Sequence, residues 1–268
     1  MISPVVDLTW VQEHRDGLLL ADVRWYLDGR SGQEAFERGH LPGAVFVAMD
    51  KLAGDPCAER GRHPLPDPAS FAEGMSSLGI DDDATVIAYD DQGGVIAARL
   101  VWMLRVTGHE AALLDGGIAG YAGPVETGNR PSRSHGSFVP RPWPAERLAD
   151  IDDASDPANL VLDARSADRY RGENEVVDAR AGHIPGAVSF PCRDNIGANG
   201  KFLPAAVLRE RFEAAGVTSS ACVVSYCGSG VTACHNLLAL EMCGFEQARL
   251  YPGSWSEYSA KADRPVAT

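Results

Sequence analysis

The stretch Val223-Val-Ser-Tyr-Cys227-Gly-Ser-Gly-Val-Thr-Ala233 decides the reading of this chain. A short apolar run ends in a cysteine, two glycines follow within three residues, and a helix-forming segment begins at once. That order is a buried strand, a tight loop and a helix N-terminus. It sets one thiol at the floor of a ring of backbone N–H groups, which stabilises a thiolate and any anion bound above it. Gly228 and Gly230 keep the bowl free of side chains, and Ser229 and Thr232 carry hydroxyls that can turn inward. A lone cysteine is most often a buried structural residue. Gly-x-Gly and a helix directly behind Cys227 favour a reactive one.

This loop resembles the active-site loop of the rhodanese-like sulfurtransferases. Its form, Cys-Gly-Ser-Gly-Val-Thr-Ala, looks most like the 3-mercaptopyruvate sulfurtransferase branch. Thiosulfate-preferring rhodaneses more often carry basic residues right after the cysteine, where this chain has Gly228 and Ser229.

The chain also repeats itself. Gly39-His-Leu-Pro-Gly-Ala-Val45 recurs as Gly182-His-Ile-Pro-Gly-Ala-Val188, with six of seven residues identical. Around it, Leu19–Arg24 matches Leu160–Arg165, Thr85–Asp90 matches Cys222–Cys227, and Leu114–Gly117 matches Leu250–Gly253. Matched segments in a fixed order indicate a duplicated domain of about 130 residues rather than a solenoid. The expected plan is a first copy over 1–124, a linker over 125–144 rich in Pro, Gly, Ser and Arg, and a second copy over 145–268. Phe138 and Trp143 argue for a linker laid along the surface, since both are costly to leave in water.

Apolar runs at Leu18–Ala21, Thr85–Tyr89, Leu160–Leu162 and Cys222–Tyr226 suit strands buried on both faces. Helical patterns fall at Pro68–Leu78, Val95–Thr107, Ala205–Ala215 and Thr232–Cys243, each followed by glycine. The expected fold class is α/β, and the resemblance implies tandem rhodanese-like domains, each a mostly parallel sheet flanked by helices on both faces. Functional crevices in such sheets lie at the carboxyl ends of strands, where Cys227 falls. Asp90 takes the matching place in the first copy and cannot carry sulfur, so the first copy is expected to be catalytically inactive.

The formal net charge of −13 argues against nucleic-acid binding through phosphates. There is no long apolar segment and no secretory signal pattern, so the expected location is cytoplasmic, without a membrane. The six cysteines are scattered without zinc-ligand spacing, so no metal and no other cofactor is expected. Cys234 and Cys243 read as core residues, with a regulatory pairing to Cys227 as the alternative.

The resemblance implies a persulfide cycle. Cys227 takes sulfur from a small anionic donor, 3-mercaptopyruvate or alternatively thiosulfate, and a thiol, a thioredoxin-like protein or cyanide accepts it. Gly228, Gly230, Val231 and Thr232 are the loop residues around the bound anion. Arginine is the natural bidentate partner of a donor carboxylate. The match of Asp163–Tyr170 to the family's substrate-binding segment points to Arg169, against the plain alternative of a surface ion pair with Asp168 or Glu173. A second family arginine lies just before the Gly-His-x-Pro-Gly segment; Arg180 is nearest, with Arg171 behind it. The branch also resembles a Ser-His-Asp arrangement in which the histidine and aspartate come from the first domain; here these are Ser229, His63 and Asp50, with proton management as their chemical sense. His63 as a loop histidine in solvent is the plain alternative. His40 and His183 recur in both copies, one of which lacks the cysteine, so they read as structural.

Two other readings compete. A cysteine-dependent phosphatase loop is one residue longer and ends in arginine; Ala233 stands there instead. A catalytically dead interaction module is disfavoured by the intact cysteine loop in the second copy.

Overall fold

The computed structural model describes residues 1–57, 59–129 and 133–268. The chain forms two units, one of Met1–Ala53, Pro66–Trp143 and Gly197–Phe202, the other of Gly54–Leu65, Pro144–Ile196 and Leu203–Thr268. The first unit holds β1 (Val5–Val6), α1 (Leu8–Glu13), β2 (Leu18–Asp22), α2 (Gly32–Arg38), β3 (Val45–Phe46), α3 (Pro68–Ser77), β4 (Thr85–Tyr89), α4 (Ala98–Val106) and β5 (Ala111–Leu114). The second holds β6 (Leu160–Asp163), α5 (Ala167–Tyr170), β7 (Val188–Ser189), α6 (Ala205–Ala214), β8 (Val223–Tyr226), α7 (Ala233–Met242), β9 (Arg249–Leu250) and α8 (Ser254–Tyr258).

Both sheets are parallel throughout, ordered β1-β5-β4-β2-β3 and β7-β6-β8-β9. β4 and β8 therefore occupy matching interior positions, and their carboxyl ends open at matching loops. Such strands need apolar side chains on both faces. In β4, Ile87 and Tyr89 pack with Val11 of α1 and Phe36 of α2. On the opposite face Leu113 lies under Gly94, in the loop leading into α4. In β8, Val224 and Tyr226 pack against Trp255 and Tyr258 of α8, while Ser225 Oγ on the other face donates to the Ala233 carbonyl at the start of α7 (3.2 Å).

Each sheet carries the same buried ion pair at a strand end. Arg24 Nη2 donates to Asp22 (2.6 Å) and to the Gly39 carbonyl (2.7 Å). Arg165 Nη2 donates to Asp163 (2.6 Å) and to the Gly182 carbonyl (2.7 Å). These contacts tie the repeated Gly-His segment to the sheet. His40 stacks on Phe36 and shares a hydrogen bond with its carbonyl, and His183 does the same with Tyr170. Both histidines are thus structural pegs.

The four longer helices end just before glycine, as their sequence pattern predicts: Gly79, Gly108, Gly216 and Gly244 all have positive φ. α4 starts three residues later than its apolar pattern: the Arg99 N–H goes to the Ile96 carbonyl (3.1 Å) in a tighter turn, and the free Ile96 and Ala97 N–H groups donate to the Asp90 carboxylate. Within the expected linker, residues 130–132 lie outside the described residues. Phe138 is buried edge-on to Phe71, and Trp143 Nε1 donates to the Pro66 carbonyl (2.7 Å).

Candidate functional site

Tyr89 and Tyr226 sit opposite Asp22 and Asp163 in identical registers, so Asp90 and Cys227 leave their strands at the same point. Their carbonyls are held alike: Ile118 N donates to Asp90 O (3.1 Å) and Trp255 N to Cys227 O (3.0 Å). The loops then differ in one decisive respect. The Asp90 carboxylate lies inside its own loop and accepts from the N–H groups of Gln92, Gly94, Ile96 and Ala97 at 2.7–3.0 Å. The loop thus has the geometry to hold an anion on backbone amides. In the second unit a buried thiol replaces the carboxylate, and among the described residues the N–H groups of Ser229, Val231 and Thr232 donate to no protein acceptor.

Gly230 is required twice over. Its φ is +76°, and a Cβ there would stand 2.5 Å from the Pro252 carbonyl. Cys227 N–H donates to Ser254 Oγ (3.2 Å), which donates to the Tyr251 carbonyl (2.8 Å). Ser254 is buried with φ +52°, the only non-glycine with positive φ among the described residues. The matching position in the first unit is Gly117, at φ +54°. Serine thus holds a conformation that costs an ordinary side chain about 1–2 kcal/mol, and its hydroxyl fixes the amide of Cys227. Nothing in the sequence marks Ser254: the repeat in sequence sets Gly117 against Gly253, whereas strand register pairs Leu113 with Leu250 and so Gly117 with Ser254.

Three resemblance-derived residues meet in the second unit. His63 Nδ1 and Ser229 Oγ share a hydrogen bond of 2.8 Å. The segment Gly54–Leu65 that carries His63 packs as part of this unit, although it lies in the sequence of the first copy. Arg62 N donates to Ser256 Oγ (3.1 Å), and the Ser256 N–H donates to the Gly228 carbonyl (2.8 Å), which seats the segment beside the loop. Arg169 stands over Gly228: a Cβ there would lie 3.4 Å from its Nη1. Its partners are Glu175 (2.8 Å) and Asp178 (3.0 Å) rather than Asp168 or Glu173. Asp168 instead accepts from Asn174, and Glu173 from Arg171. Asp50 belongs to the first unit, exposed on the turn Met49–Lys51.

Arg180 corrects an expectation. Its guanidinium donates to the carbonyls of Tyr258, Ser259, Lys261 and Arg264 at 2.6–3.1 Å. All its donor nitrogens are spent on closing the chain after α8, so it is not a site arginine. Arg171 is an exposed partner of Glu173. The arginine that does reach the loop is Arg62, which sequence reasoning missed: its Nη2 would lie 3.1 Å from a Cβ on Gly228, and it forms an ion pair with Asp178. Burial pushes its pKa below the usual arginine value; the Cys227 charge opposes the shift and the Arg169 charge adds to it. The available signal was its place next to His63.

Cys192 lies nearby, and burial pushes its thiol up to about 12, with the Cys227 charge acting in the same sense. It is a neutral thiol at physiological pH and no rival nucleophile. The Cys234 and Cys243 thiols donate to the carbonyls of Gly230 and Ala205, and none of the six cysteines forms a disulfide. Among the described residues no cluster of histidine, cysteine and carboxylates is placed to hold a metal, and no helix is long and apolar enough to cross a membrane.

Comparison with known families matches the rhodanese-like domain twice, over residues 7–123 and 144–261. A probable 3-mercaptopyruvate sulfurtransferase of Pseudomonas aeruginosa is 42% identical over 94% of this chain and 92% of its own length. A putative thiosulfate sulfurtransferase, SseB, of Mycobacterium tuberculosis is 39% identical over 99% and 96%. The crystal structure of SseA from Escherichia coli, described as a 3-mercaptopyruvate sulfotransferase with the rhodanese fold, superposes with a TM-score of 0.83 at 32% identity, covering 96% of this chain and 100% of that one. With a buried cysteine at the end of β8 where β4 carries Asp90, and the same fold present twice, the chain belongs to the rhodanese-like family as a tandem of two such domains.

Proposed function

We propose that the protein is a sulfurtransferase that moves sulfur from 3-mercaptopyruvate, through a persulfide on Cys227, to a thiol, a thioredoxin-like protein or cyanide. The carrying observation is the paired loops: where Asp90 fills one amide ring with its own carboxylate, the matching loop opens with a buried thiol and leaves the N–H groups of Ser229, Val231 and Thr232 without a protein acceptor among the described residues. Cys227 as thiolate attacks the donor sulfur. The S–S bond forms, the carbon–sulfur bond breaks, and the electron pair leaves on the pyruvate enolate, which takes a proton to give pyruvate. The acceptor then attacks the outer sulfur and returns the Cys227 thiolate. Ser229 and His63 are the pair suited to move the proton or to polarise the donor carbonyl. Asp50 as a partner of His63 rests on the resemblance alone. The first domain is the non-transferring copy in this proposal, and the protein is placed in the cytoplasm, which cell fractionation tests.

Charge favours 3-mercaptopyruvate over thiosulfate. Around the site Arg62, Arg165 and Arg169 face Asp163, Glu175 and Asp178, so the resident cations are already balanced. A dianion gains little there, and the loop offers no cationic side chain. The relatives' names cover both donors, so the test is kcat/KM for each donor with cyanide as common acceptor. A large preference for 3-mercaptopyruvate is expected. A preference for thiosulfate would replace this donor assignment.

A further inference from the structure

We propose that Arg62 and Arg169, bridged by Asp178, form a two-armed clamp for the donor's carboxylate, and that the charge of Asp178 makes the clamp selective for monoanions. This deepens the sulfurtransferase reading and rests on it for the identity of the donor. The clamp itself is read from geometry.

The two guanidiniums come from segments far apart in sequence and converge on one point. Arg62 Nη2 and Arg169 Nη1 would lie 3.1 and 3.4 Å from a Cβ on Gly228, the residue after Cys227. Among the described residues neither nitrogen donates to a protein acceptor, whereas the other arms are fastened. Asp178 takes Arg62 Nη1 on Oδ1 and Arg169 Nη2 on Oδ2. Glu175 takes Arg169 Nε and Nη2, and passes the chain of charges on to Arg165. Glu175 is in turn held by the N–H groups of Val177 and Asp178 (3.0 Å each).

The fastening acids are buried, Glu175 at 2% and Asp178 at 3% exposure, while Arg169 and Arg62 are 17% and 29% exposed. The carboxylates are therefore shielded from water, and the unfastened nitrogens lie beside Gly228 on the more exposed side chains. Without Asp178 the two cations would repel each other; with it, they stand side by side as a preformed fork for a planar carboxylate. The side chain of Asp178 also opposes any second negative charge on the ligand. That makes Asp178 a positioning residue and a specificity determinant, and Arg62 a donor-binding residue.

The first experiment does not depend on sulfur transfer. It is the rate of alkylation of Cys227 by iodoacetate, which carries a carboxylate, relative to neutral iodoacetamide, with the modified residue identified by peptide mapping. A clamp beside the thiol raises that ratio in the wild type. Arg62→Gln should lower it about tenfold, the loss of one charge-assisted contact, and Arg62→Lys should restore part of it. The second is steady-state kinetics of the full chain with cyanide as acceptor. Arg62→Gln should raise KM for 3-mercaptopyruvate about tenfold with kcat within about threefold. Asp178→Asn should lower the preference for 3-mercaptopyruvate over thiosulfate about tenfold, because the dianion gains twice from removal of the charge.

An iodoacetate ratio unchanged in a folded Arg62→Gln protein overturns the clamp, whatever the enzyme's donor. An unchanged donor preference in Asp178→Asn overturns the selectivity claim. Normal alkylation behaviour in a wild type that transfers sulfur from neither donor would uphold the clamp and remove the function proposed above.

Discussion

Asp90 and Cys227 occupy the same strand-end position in two copies of one fold, with a carboxylate filling the first loop where a buried thiol stands in the second. Asp90 accepts four backbone N–H bonds inside its loop. In the Cys227 loop the N–H groups of Ser229, Val231 and Thr232 meet no protein acceptor among the described residues. Duplication has thus produced one ring closed by its own side chain and one kept open for chemistry.

The closed ring has a stability consequence. Asp90→Ala strands four N–H groups at the entry to α4, three of them buried, at a cost of roughly 3 kcal/mol, the scale of hydrogen bonds to a charged group. Denaturant unfolding measures it. A loss below about 0.5 kcal/mol would mean that the carboxylate is not what orders this loop.

Ser254 separates stability from activity. Ser254→Gly relieves a left-handed serine while losing the hydroxyl that holds the Cys227 amide. These effects offset each other to within about 1 kcal/mol. Sulfur transfer should nonetheless fall about tenfold, because the nucleophile loses its fixed position. Full activity in the glycine variant would show that the Cys227 amide needs no such anchor.

His63→Ala and Ser229→Ala should lower kcat with 3-mercaptopyruvate about 100-fold, the usual scale of positioned proton transfer. Thiosulfate turnover should change much less, since sulfite departs as a stable anion and needs no proton at carbon. Equal losses with both donors would assign the pair to holding the loop rather than to the leaving group.

Much of the fold was legible because it rests on local pattern: apolar runs for interior strands, glycine after helices, and a repeated Gly-His-x-Pro-Gly block. The reach of Cys227 followed from strand, loop and helix in sequence order. The second arginine did not. Arg62 is separated from its Asp178 partner by more than a hundred residues, and only the packing of Gly54–Leu65 into the second unit unites them. Arg180 was the arginine nearest the Gly-His block, but the chain after α8 consumes its guanidinium. The late start of α4 was hidden because periodicity does not register the tight turn in which the Arg99 N–H meets the Ile96 carbonyl.

Alkaline stability should fall steeply. Burial raises Tyr89, Tyr226 and Tyr251 above the usual tyrosine value, and Tyr26 and Cys192 to about 12 each. A raised folded-state pKa means that the native protein holds the proton more tightly than the unfolded chain. The associated stability is complete below about pH 9 for the thiol and about pH 10 for the phenols, and is lost as pH climbs through the folded values. Absorbance of tyrosinate should therefore reach full amplitude only together with loss of near-ultraviolet circular dichroism. Complete tyrosine ionisation in a still-native protein at about pH 11 would contradict the burial argument.

The central claim, that Cys227 is the sulfur carrier, is tested most directly by mass spectrometry of the protein after incubation with 3-mercaptopyruvate and no acceptor. The account predicts a gain of one sulfur atom, mapped to the peptide containing Cys227, absent in Cys227→Ser and discharged by cyanide. No added sulfur, or sulfur retained on another cysteine in Cys227→Ser, would contradict it.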